Sequence, residues 1–163
     1  MRAGLPPIIG GNPRVLILGN APSAMSLTAR QYYGNPRNGF WRITGEVFGF
    51  DPAAPYDTRV AALIARGVAV WDVLSAFRRA GSLDSAVERN SMVANDFAPL
   101  YAAHGQLSRV YFNGAAAEDN YRRLVTAESS ATFVRLPSTS PANTMALADK
   151  LAAWRVILSA ERA

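Results

Sequence analysis

The chain has 163 residues, half of them hydrophobic, and 17 lysines and arginines against 12 aspartates and glutamates give a formal charge of +5. That length suits one domain over residues 1–163, and no apolar run approaches the roughly 18 residues that span a bilayer. The absence of cysteine excludes disulfides, thiolate nucleophiles and iron–sulfur clusters, and a single histidine leaves little for a multi-histidine metal site. We therefore expect no metal, no cofactor and no membrane association.

Two further features of the composition bear on location and partners. Residues 1–7 lack the apolar run of a secretory signal, so a cytoplasmic protein is expected. Lys150 is the only lysine, and arginine binds phosphates and stacks on bases better than lysine does. This bias favours a polyanionic partner, although genome composition explains an arginine excess equally well.

The first half of the chain predicts two strands and two helices around a long irregular segment. A β-branched run over residues 14–18 ends at Gly19 and predicts a buried strand. Residues 20–38 are rich in Gly, Pro, Asn and Tyr and predict irregular structure. Helices are predicted over residues 40–48 and 57–66, the second capped by Asp57 and stopped by Gly67, and a second strand over residues 68–73.

The second half continues the alternation of strands and helices. Asn95 is a candidate cap for a helix ending at His104, and Asn143 or Thr144 for the final helix. Between them the pattern predicts strands over residues 109–113 and 132–136 and a helix over residues 115–124. The final helix carries an apolar stripe of Leu147, Leu151, Trp154 and Leu158. Such alternation predicts an α/β fold, a three-layer α/β/α domain with a central four-stranded parallel sheet.

Ligands of such sheets bind beyond the carboxyl ends of the strands. Polar or turn-forming segments follow all four predicted strands, so one site built from all four is expected. These segments are Gly19-Asn20-Ala21-Pro22-Ser23, Trp71-Asp72, Asn113-Gly114 and Pro137-Ser138-Thr139-Ser140-Pro141. Asp72 is expected to pair with Arg78 or Arg79 and hold a loop, and His104 to be a surface or capping residue.

Three features of these segments suit a nucleobase or a phosphate, each with a structural alternative. Tyr33, Asn38 and their neighbours suit a planar, hydrogen-bonding ligand, while Phe40 and Trp41 equally suit loop anchors in the core. The hydroxyl-rich segment at residues 136–144 suits phosphate oxygens at a helix N-terminus, or forms an ordinary capped turn. Asn113 either reads a base edge or simply ends its strand.

Together these motifs resemble those of the uracil-DNA glycosylase superfamily. They occur in the same order as in that family and extend over residues 14–158. The first segment resembles its motif 1 with the following Pro36-Arg37-Asn38-Gly39-Phe40-Trp41, and the Ser/Pro-rich segment resembles motif 2. Other matches resemble the hypoxanthine-DNA glycosylase branch. They are Tyr32-Tyr33-Gly34-Asn35-Pro36-Arg37-Asn38, Trp71-Asp72-Val73, Gly81-Ser82-Leu83-Asp84-Ser85 and Phe112-Asn113-Gly114.

The resemblance implies a hydrolase that flips a deaminated base, hypoxanthine or uracil, out of DNA and cleaves its N-glycosidic bond with water, which initiates base excision repair. It implies that Tyr33 stacks on the base, that Asn113, Asn20 and Ala21 contact it, and that Asn38 is the catalytic residue that holds the water. Contacts to DNA are implied for Arg37, Ser138, Thr139, Ser140, Pro141 and Asn143. A monomer near the nucleoid is expected.

A departure from the family pattern and the position of the only lysine shape the expected chemistry. Motif 1 contains no carboxylate, and Asn38 orients water without accepting its proton, so modest turnover is expected. Lys150 is predicted to lie on the final helix, away from the strand ends, which favours water over a Schiff base. Two alternatives remain: a nucleotide- or flavin-binding module without glycosylase activity, and a catalytically inactive protein that binds damaged DNA.

Overall fold

The computed structural model describes residues 1–158, and residues 159–163, over which the single-domain prediction extends, lie outside it. In chain order the strands are β1 (Arg2–Ala3), β2 (Val15–Gly19), β3 (Val68–Asp72), β4 (Leu74–Phe77), β5 (Val93–Ala94), β6 (Arg109–Asn113) and β7 (Thr132–Leu136). The helices are α1 (Ala24–Ala29), α2 (Phe40–Phe48), α3 (Tyr56–Ala65), α4 (Ala98–Ala103), α5 (Ala115–Leu124) and α6 (Leu147–Trp154).

The centre of the fold is a four-stranded parallel sheet, as predicted, and its strands lie in the order β3–β2–β6–β7. Its strands run in register, so Gly19 at the end of β2 stands beside Asp72 at the end of β3, and Asn113 beside Leu136. The four carboxyl ends therefore meet at one edge of the sheet.

Alternate residues of the central strands bury two separate cores, because successive side chains of a strand point to opposite faces. On one face, Val15 and Ile17 pack with apolar residues of α2, α3 and α6. On the other face, Leu16 and Leu18 pack with α5 and the segment around Phe97. These two layers of helices confirm the three-layer α/β/α fold.

Two parts of the fold were not predicted. A small antiparallel sheet, β1–β4–β5, joins the N-terminus to the chain that follows β3. The helix α1 begins inside the segment predicted to be irregular, where the Ser23 hydroxyl accepts a hydrogen bond from the Ser26 N–H at 3.1 Å. Strands of two to four residues and a six-residue helix are too short to produce a periodic pattern.

Three predicted helix starts are wrong by one to four residues. In each case the residue predicted to cap the helix lies inside it or forms a hydrogen bond elsewhere. Asp57 lies in the first turn of α3, which starts at Tyr56. The Asn95 amide donates to the Asp72 carbonyl oxygen at 2.8 Å, and α4 begins after Phe97. Asn143 accepts from the Met145 N–H in a turn, so α6 starts at Leu147, a residue that remains exposed. Over residues 1–158, no helix is long and apolar enough to cross a membrane.

Candidate active site

A cavity of about 400 Å³ lies at the carboxyl edge of the parallel sheet. Its wall is formed by the segments that follow all four strands, as predicted, and also by the loop after β4. Residues of this wall include Asn20, Asp72, Asn113 and Thr139 from the strand ends, Tyr33 and Asn38 from the segment before α2, and residues 82–85 from the loop. The volume lies within the range of small-molecule sites.

Tyr33 forms an aromatic wall of this cavity. Its ring stacks on Phe40 with centroids 3.9 Å apart and planes at 13°, and its backbone adopts the left-handed conformation with φ +53°. The Tyr33 hydroxyl accepts a hydrogen bond from the Asn113 amide at 3.1 Å. Burial raises the pKa of this hydroxyl above its usual range, so the tyrosine is neutral. Phe40 is fully buried beneath it, as the core-anchor alternative predicts.

The Asn38 side chain is held in one orientation at the start of α2. Its Oδ1 accepts from the Phe40 N–H at 3.0 Å and from the Thr139 hydroxyl at 2.7 Å. Because a backbone N–H can only donate, the contact to Phe40 identifies which amide atom is the oxygen. The Asn38 amide nitrogen is therefore the group of this side chain that remains to bind a ligand or a water molecule.

Asn113 and Thr139 brace each other across the end of the sheet. The Thr139 N–H donates to Asn113 Oδ1 at 2.9 Å, and Asn113 Nδ2 donates to the Thr139 hydroxyl at 3.0 Å. Both amide hydrogens of Asn113 are thus engaged, the second by Tyr33. In this arrangement Asn113 positions Tyr33 and Thr139, and a lone pair on its oxygen remains for a base edge.

Asn20 and Ala21 directly follow β2 and also line the cavity. Asn20 is buried, and its Oδ1 accepts from Asn120 at 2.8 Å while its Nδ2 donates to Asp84 at 3.2 Å. The side chain of Asn20 therefore links α5 to the loop after β4. Ala21 adds a small apolar surface to the wall.

The loop between β7 and α6 forms the remaining wall of the cavity, through Ser138, Thr139, Ser140, Pro141 and Asn143. Thr139 is buried, whereas Pro141 is exposed, so this loop has both an anchor and a surface open to a macromolecule.

Lys150 corrects one expectation. It lies on α6 as predicted, but not away from the strand ends, because its Nζ donates to the carbonyl oxygens of Ser140 at 3.1 Å and Asn143 at 2.9 Å. The lysine is 5% exposed and is not part of the cavity wall. Its ammonium group thus links two carbonyl oxygens of the loop, of which that of Ser140 also accepts from the Asn143 N–H at 3.0 Å.

Asp72 is the cavity residue whose setting the sequence did not predict. It is 4% exposed, and its Oδ2 has no hydrogen-bond partner. The expected pairing with Arg78 or Arg79 is wrong: Arg78 pairs with Glu88 at 2.6 Å, and Arg79 donates to the Pro22 and Gly81 carbonyl oxygens. Burial, reinforced by the charge of Asp84, raises the pKa of Asp72 from 3.8 to about 7.

Gly19 makes room for this carboxyl group. A Cβ atom at Gly19 would stand 2.5 Å from Asp72 Oδ1 and 2.8 Å from the Tyr33 hydroxyl oxygen, closer than a Cβ atom approaches a non-bonded atom. Glycine at this position is therefore required by the packing of Asp72 and Tyr33 against the end of β2.

The remaining predicted residues lie outside the cavity. Arg37 is exposed on the surface beside it, with its N–H bonded to Asn35 Oδ1. His104 follows α4 as its C-terminal cap, as expected. Among residues 1–158 there is no group of three His, Cys, Asp or Glu side chains placed to hold a metal ion.

Comparison with known proteins identifies the family. The family model described as the uracil DNA glycosylase superfamily matches residues 6–159. Proteins named hypoxanthine DNA glycosylase are 34% identical to the chain, from Methanosarcina barkeri over 94% of this chain and 95% of the relative, and from Methanosarcina acetivorans over 96% and 98%. A solution NMR structure of a candidate uracil DNA glycosylase from Methanosarcina acetivorans superposes with a TM-score of 0.81 at 31% identity, covering 99% and 98% of the two chains. The chain belongs to the uracil DNA glycosylase superfamily.

Proposed function

We propose that this chain is a monofunctional DNA glycosylase that excises hypoxanthine, uracil or both from DNA. The observation that carries this proposal is a cavity at the strand ends with an aromatic wall at Tyr33 and amide groups around it. A flipped base needs both, since one of its faces stacks and its edges form hydrogen bonds. The names of the relatives from Methanosarcina support hypoxanthine as a substrate.

Base binding in this proposal uses the stacked pair of Tyr33 and Phe40. Phe40 supports the ring of Tyr33 from behind, so the tyrosine presents a rigid face to the extruded base. Flipping costs a few kcal/mol and costs least at mispaired or damaged bases, which favours deaminated bases over paired ones. Asn113, Asn20 and Ala21, which all line the cavity, contact the edges of the base.

Bond cleavage in this proposal uses water as the nucleophile. The C1′–N bond breaks, its electron pair leaves with the base, and a lone pair of the water oxygen forms the new bond to C1′. Asn38 holds that water by donating from its amide nitrogen, because its oxygen already accepts two hydrogen bonds. The exposed residues of the loop after β7 and Arg37 contact the DNA strand. The protein acts as a monomer, in the cytoplasm at the nucleoid, where its substrate lies.

The test is a panel of labelled oligonucleotides, single- and double-stranded, each with one deaminated base opposite each of the four partners. Alkali cleavage after incubation reveals the abasic site. We expect cleavage at hypoxanthine, at uracil or at both. Binding of the damaged oligonucleotides without any alkali-labile site would contradict the proposal and identify an inactive damaged-DNA-binding protein.

Asn38→Ala tests the proposed water-binding residue. Loss of its amide should lower the single-turnover rate of base release by roughly 100-fold or more, because water is no longer oriented. The variant also loses the hydrogen bonds that Asn38 Oδ1 accepts from the Phe40 N–H and the Thr139 hydroxyl, each worth about 1 kcal/mol. Asp51→Ala is the matched control, since Asp51 makes the same type of bond to the Ala53 N–H outside the cavity. Unchanged base release in Asn38→Ala would remove Asn38 from the mechanism.

A further inference from the structure

The proposed function gives the Asn38 amide a water molecule to hold. On the segment after β2, no side chain can accept the proton of that water. Asn38 uses its oxygen to hold the start of α2 and Thr139, so even its acceptor atom is committed to the fold. Attack on C1′ is faster when a base removes a proton from the water as the new bond forms. A carboxylate from another part of the chain would complete the site.

Asp84 is such a carboxylate. It lies on a short 3₁₀ turn (Asp84–Ala86) in the loop after β4, and it shares the cavity wall with Asn38 and Tyr33. Unlike Asp72, it is exposed, so a water molecule in the cavity can reach it. The sequence match over residues 81–85 assigned this residue no role.

Three hydrogen bonds fasten the loop of Asp84 to the chain that follows β2. The Ala24 N–H donates to the Ser82 hydroxyl at 3.0 Å, Arg79 Nη2 donates to the Pro22 carbonyl oxygen at 2.6 Å, and Asn20 Nδ2 donates to Asp84 Oδ1 at 3.2 Å. The loop thereby places the Asp84 carboxylate beside Asn20, which lies on a segment that contains no carboxylate of its own.

A directed chain of hydrogen bonds orients the Asn20 amide toward Asp84. The Arg123 guanidinium, which can only donate, bonds Asn120 Oδ1 at 3.0 Å. Asn120 Nδ2 then donates to Asn20 Oδ1, which leaves Asn20 Nδ2 for Asp84. Hydrogen bonds in such a chain polarise one another, so a positive charge on α5 favours the ionised form of Asp84.

The two carboxyl groups of the cavity differ in what surrounds them. Asp84 is exposed as a residue, but its carboxyl group lies in the cavity wall, where partial desolvation raises its pKa above the ordinary value; the Asn20 hydrogen bond and the charge of Arg79 oppose that rise. Asp72 has Arg79 near it but no partner on its Oδ2, and the charge of Asp84 repels its own. Of the pair, Asp84 is the group that holds the negative charge and Asp72 the group that holds a proton.

We infer that Asp84 is the general base of the reaction, which rests on the proposed glycosylase function. Asp84 accepts one proton from the water held by Asn38 while the water oxygen bonds to C1′. The C1′–N electron pair leaves with the base, which is protonated by solvent, and Asp84 returns its proton to solvent. The products are the free base and the abasic deoxyribose with a hydroxyl at C1′, so atoms and charge balance.

Asp84→Asn is the decisive variant, because asparagine retains an oxygen for Asn20 Nδ2 but has neither the negative charge of the carboxylate nor its ability to accept a proton. At saturating enzyme, we expect the single-turnover rate of base release to fall roughly 100-fold or more, with the dissociation constant for the same oligonucleotide changed less than about threefold. Glu88→Gln is the matched control, since Glu88 is an exposed carboxylate of the same loop that pairs with Arg78. Circular dichroism and the Tm establish that each variant is folded.

Three outcomes separate the possibilities. An Asp84→Asn rate within about threefold of the unsubstituted chain would overturn the inference and leave the glycosylase function intact. Loss of release in Asp72→Asn but not in Asp84→Asn would also overturn it, because the buried carboxyl group would then be the base. Absence of release from every oligonucleotide by the unsubstituted chain would contradict the proposed function itself.

Discussion

Asparagine side chains form part of the cavity wall, and each has an oxygen that accepts and a nitrogen that donates hydrogen bonds. Groups that can only donate determine which of the two faces which way. The Phe40 N–H orients Asn38, the Thr139 N–H orients Asn113, and Arg123 orients Asn20 through Asn120. An amide that can rotate freely offers either a donor or an acceptor, whereas a bonded amide offers one of them at a defined point. The side chains most relevant to a base are therefore preorganised before it binds.

The unpartnered carboxyl group of Asp72 makes stability depend on pH. Burial and the charge of Asp84 raise its folded-state pKa to about 7, so the folded protein holds this proton more tightly than the unfolded chain does. The contribution of Asp72 to stability is therefore present at acid pH and is lost as the pH rises through about 7. Between pH 5 and pH 8, the expected loss in the free energy of unfolding is about 3 kcal/mol.

Asp72→Asn should remove this dependence. Tm measured at pH 5 and pH 8 should fall with rising pH in the unsubstituted chain, and clearly less in Asp72→Asn. Asp119→Asn, a change at an exposed aspartate of α5, is the control and should behave as the unsubstituted chain does. Equal Tm changes in Asp72→Asn and in the unsubstituted chain would show that Asp72 is not the titrating group.

At the scale of elements, α6 holds the loop after β7 in place through one buried lysine. Lys150 donates to two carbonyl oxygens of that loop, while Trp154 on the next turn donates to the Pro137 carbonyl oxygen at 2.9 Å. The helix thus fixes both ends of the segment that forms one wall of the cavity. This bracing role differs from that of a lysine nucleophile, whose amine must reach the sugar.

Lys150→Met separates bracing from catalysis. The loop loses its buried donors, so we expect the free energy of unfolding to fall by roughly 1 to 3 kcal/mol. Base release should persist, and borohydride should trap no covalent complex between the unsubstituted chain and damaged DNA. A trapped complex that disappears in Lys150→Met would instead make the lysine a nucleophile.

The sequence predicted the elements whose local pattern is strong and missed those that depend on distant pairing. The strands of the parallel sheet and the bounds of α2 and α5 followed from apolar runs ended by glycine or polar residues. The sheet β1–β4–β5 could not be predicted, because each of its strands is short and pairs with a distant segment. At the site, residues at the strand ends were predicted to meet, and the cavity confirms this.

The setting of the two carboxyl groups could not be predicted, for a related reason. Asp72 ends a strand, and that position is also compatible with an ion pair. No pair forms because Arg78 bonds to Glu88 and Arg79 bonds to backbone carbonyl oxygens, which the sequence does not reveal. Asp84 enters the cavity through loop contacts to residues that are 58 or more positions away in the sequence. Spacing along the chain holds no information about such contacts.

For the molecule as a whole, the net charge is positive, whereas the titratable side chains that line the cavity are acidic. The chain carries a formal +5, yet the carboxyl groups in the wall of the cavity are those of Asp72 and Asp84. An excess of arginine attracts a polyanion to the surface, while in the proposed reaction the negative charge of Asp84 suits the positive charge that develops on the sugar as the base departs. In the proposed reaction, the overall charge would thus assist DNA binding and the local charge would assist bond cleavage.

Binding to DNA should therefore weaken steeply with salt, because each phosphate that an arginine contacts releases condensed counterions. The logarithm of the association constant, measured for one damaged duplex between 50 and 200 mM salt (roughly the range over which such effects are large), should fall linearly with the logarithm of the salt concentration. Arg37→Ala, at the exposed surface beside the cavity, should reduce the magnitude of this slope by about one.

Arg109→Ala should leave the slope unchanged, because Arg109 begins β6 at the opposite edge of the sheet from Asn113 and donates to Thr132. Equal slopes for Arg37→Ala and the unsubstituted chain would place the DNA strand away from Arg37, and a slope near zero for all three proteins would contradict phosphate binding by this surface.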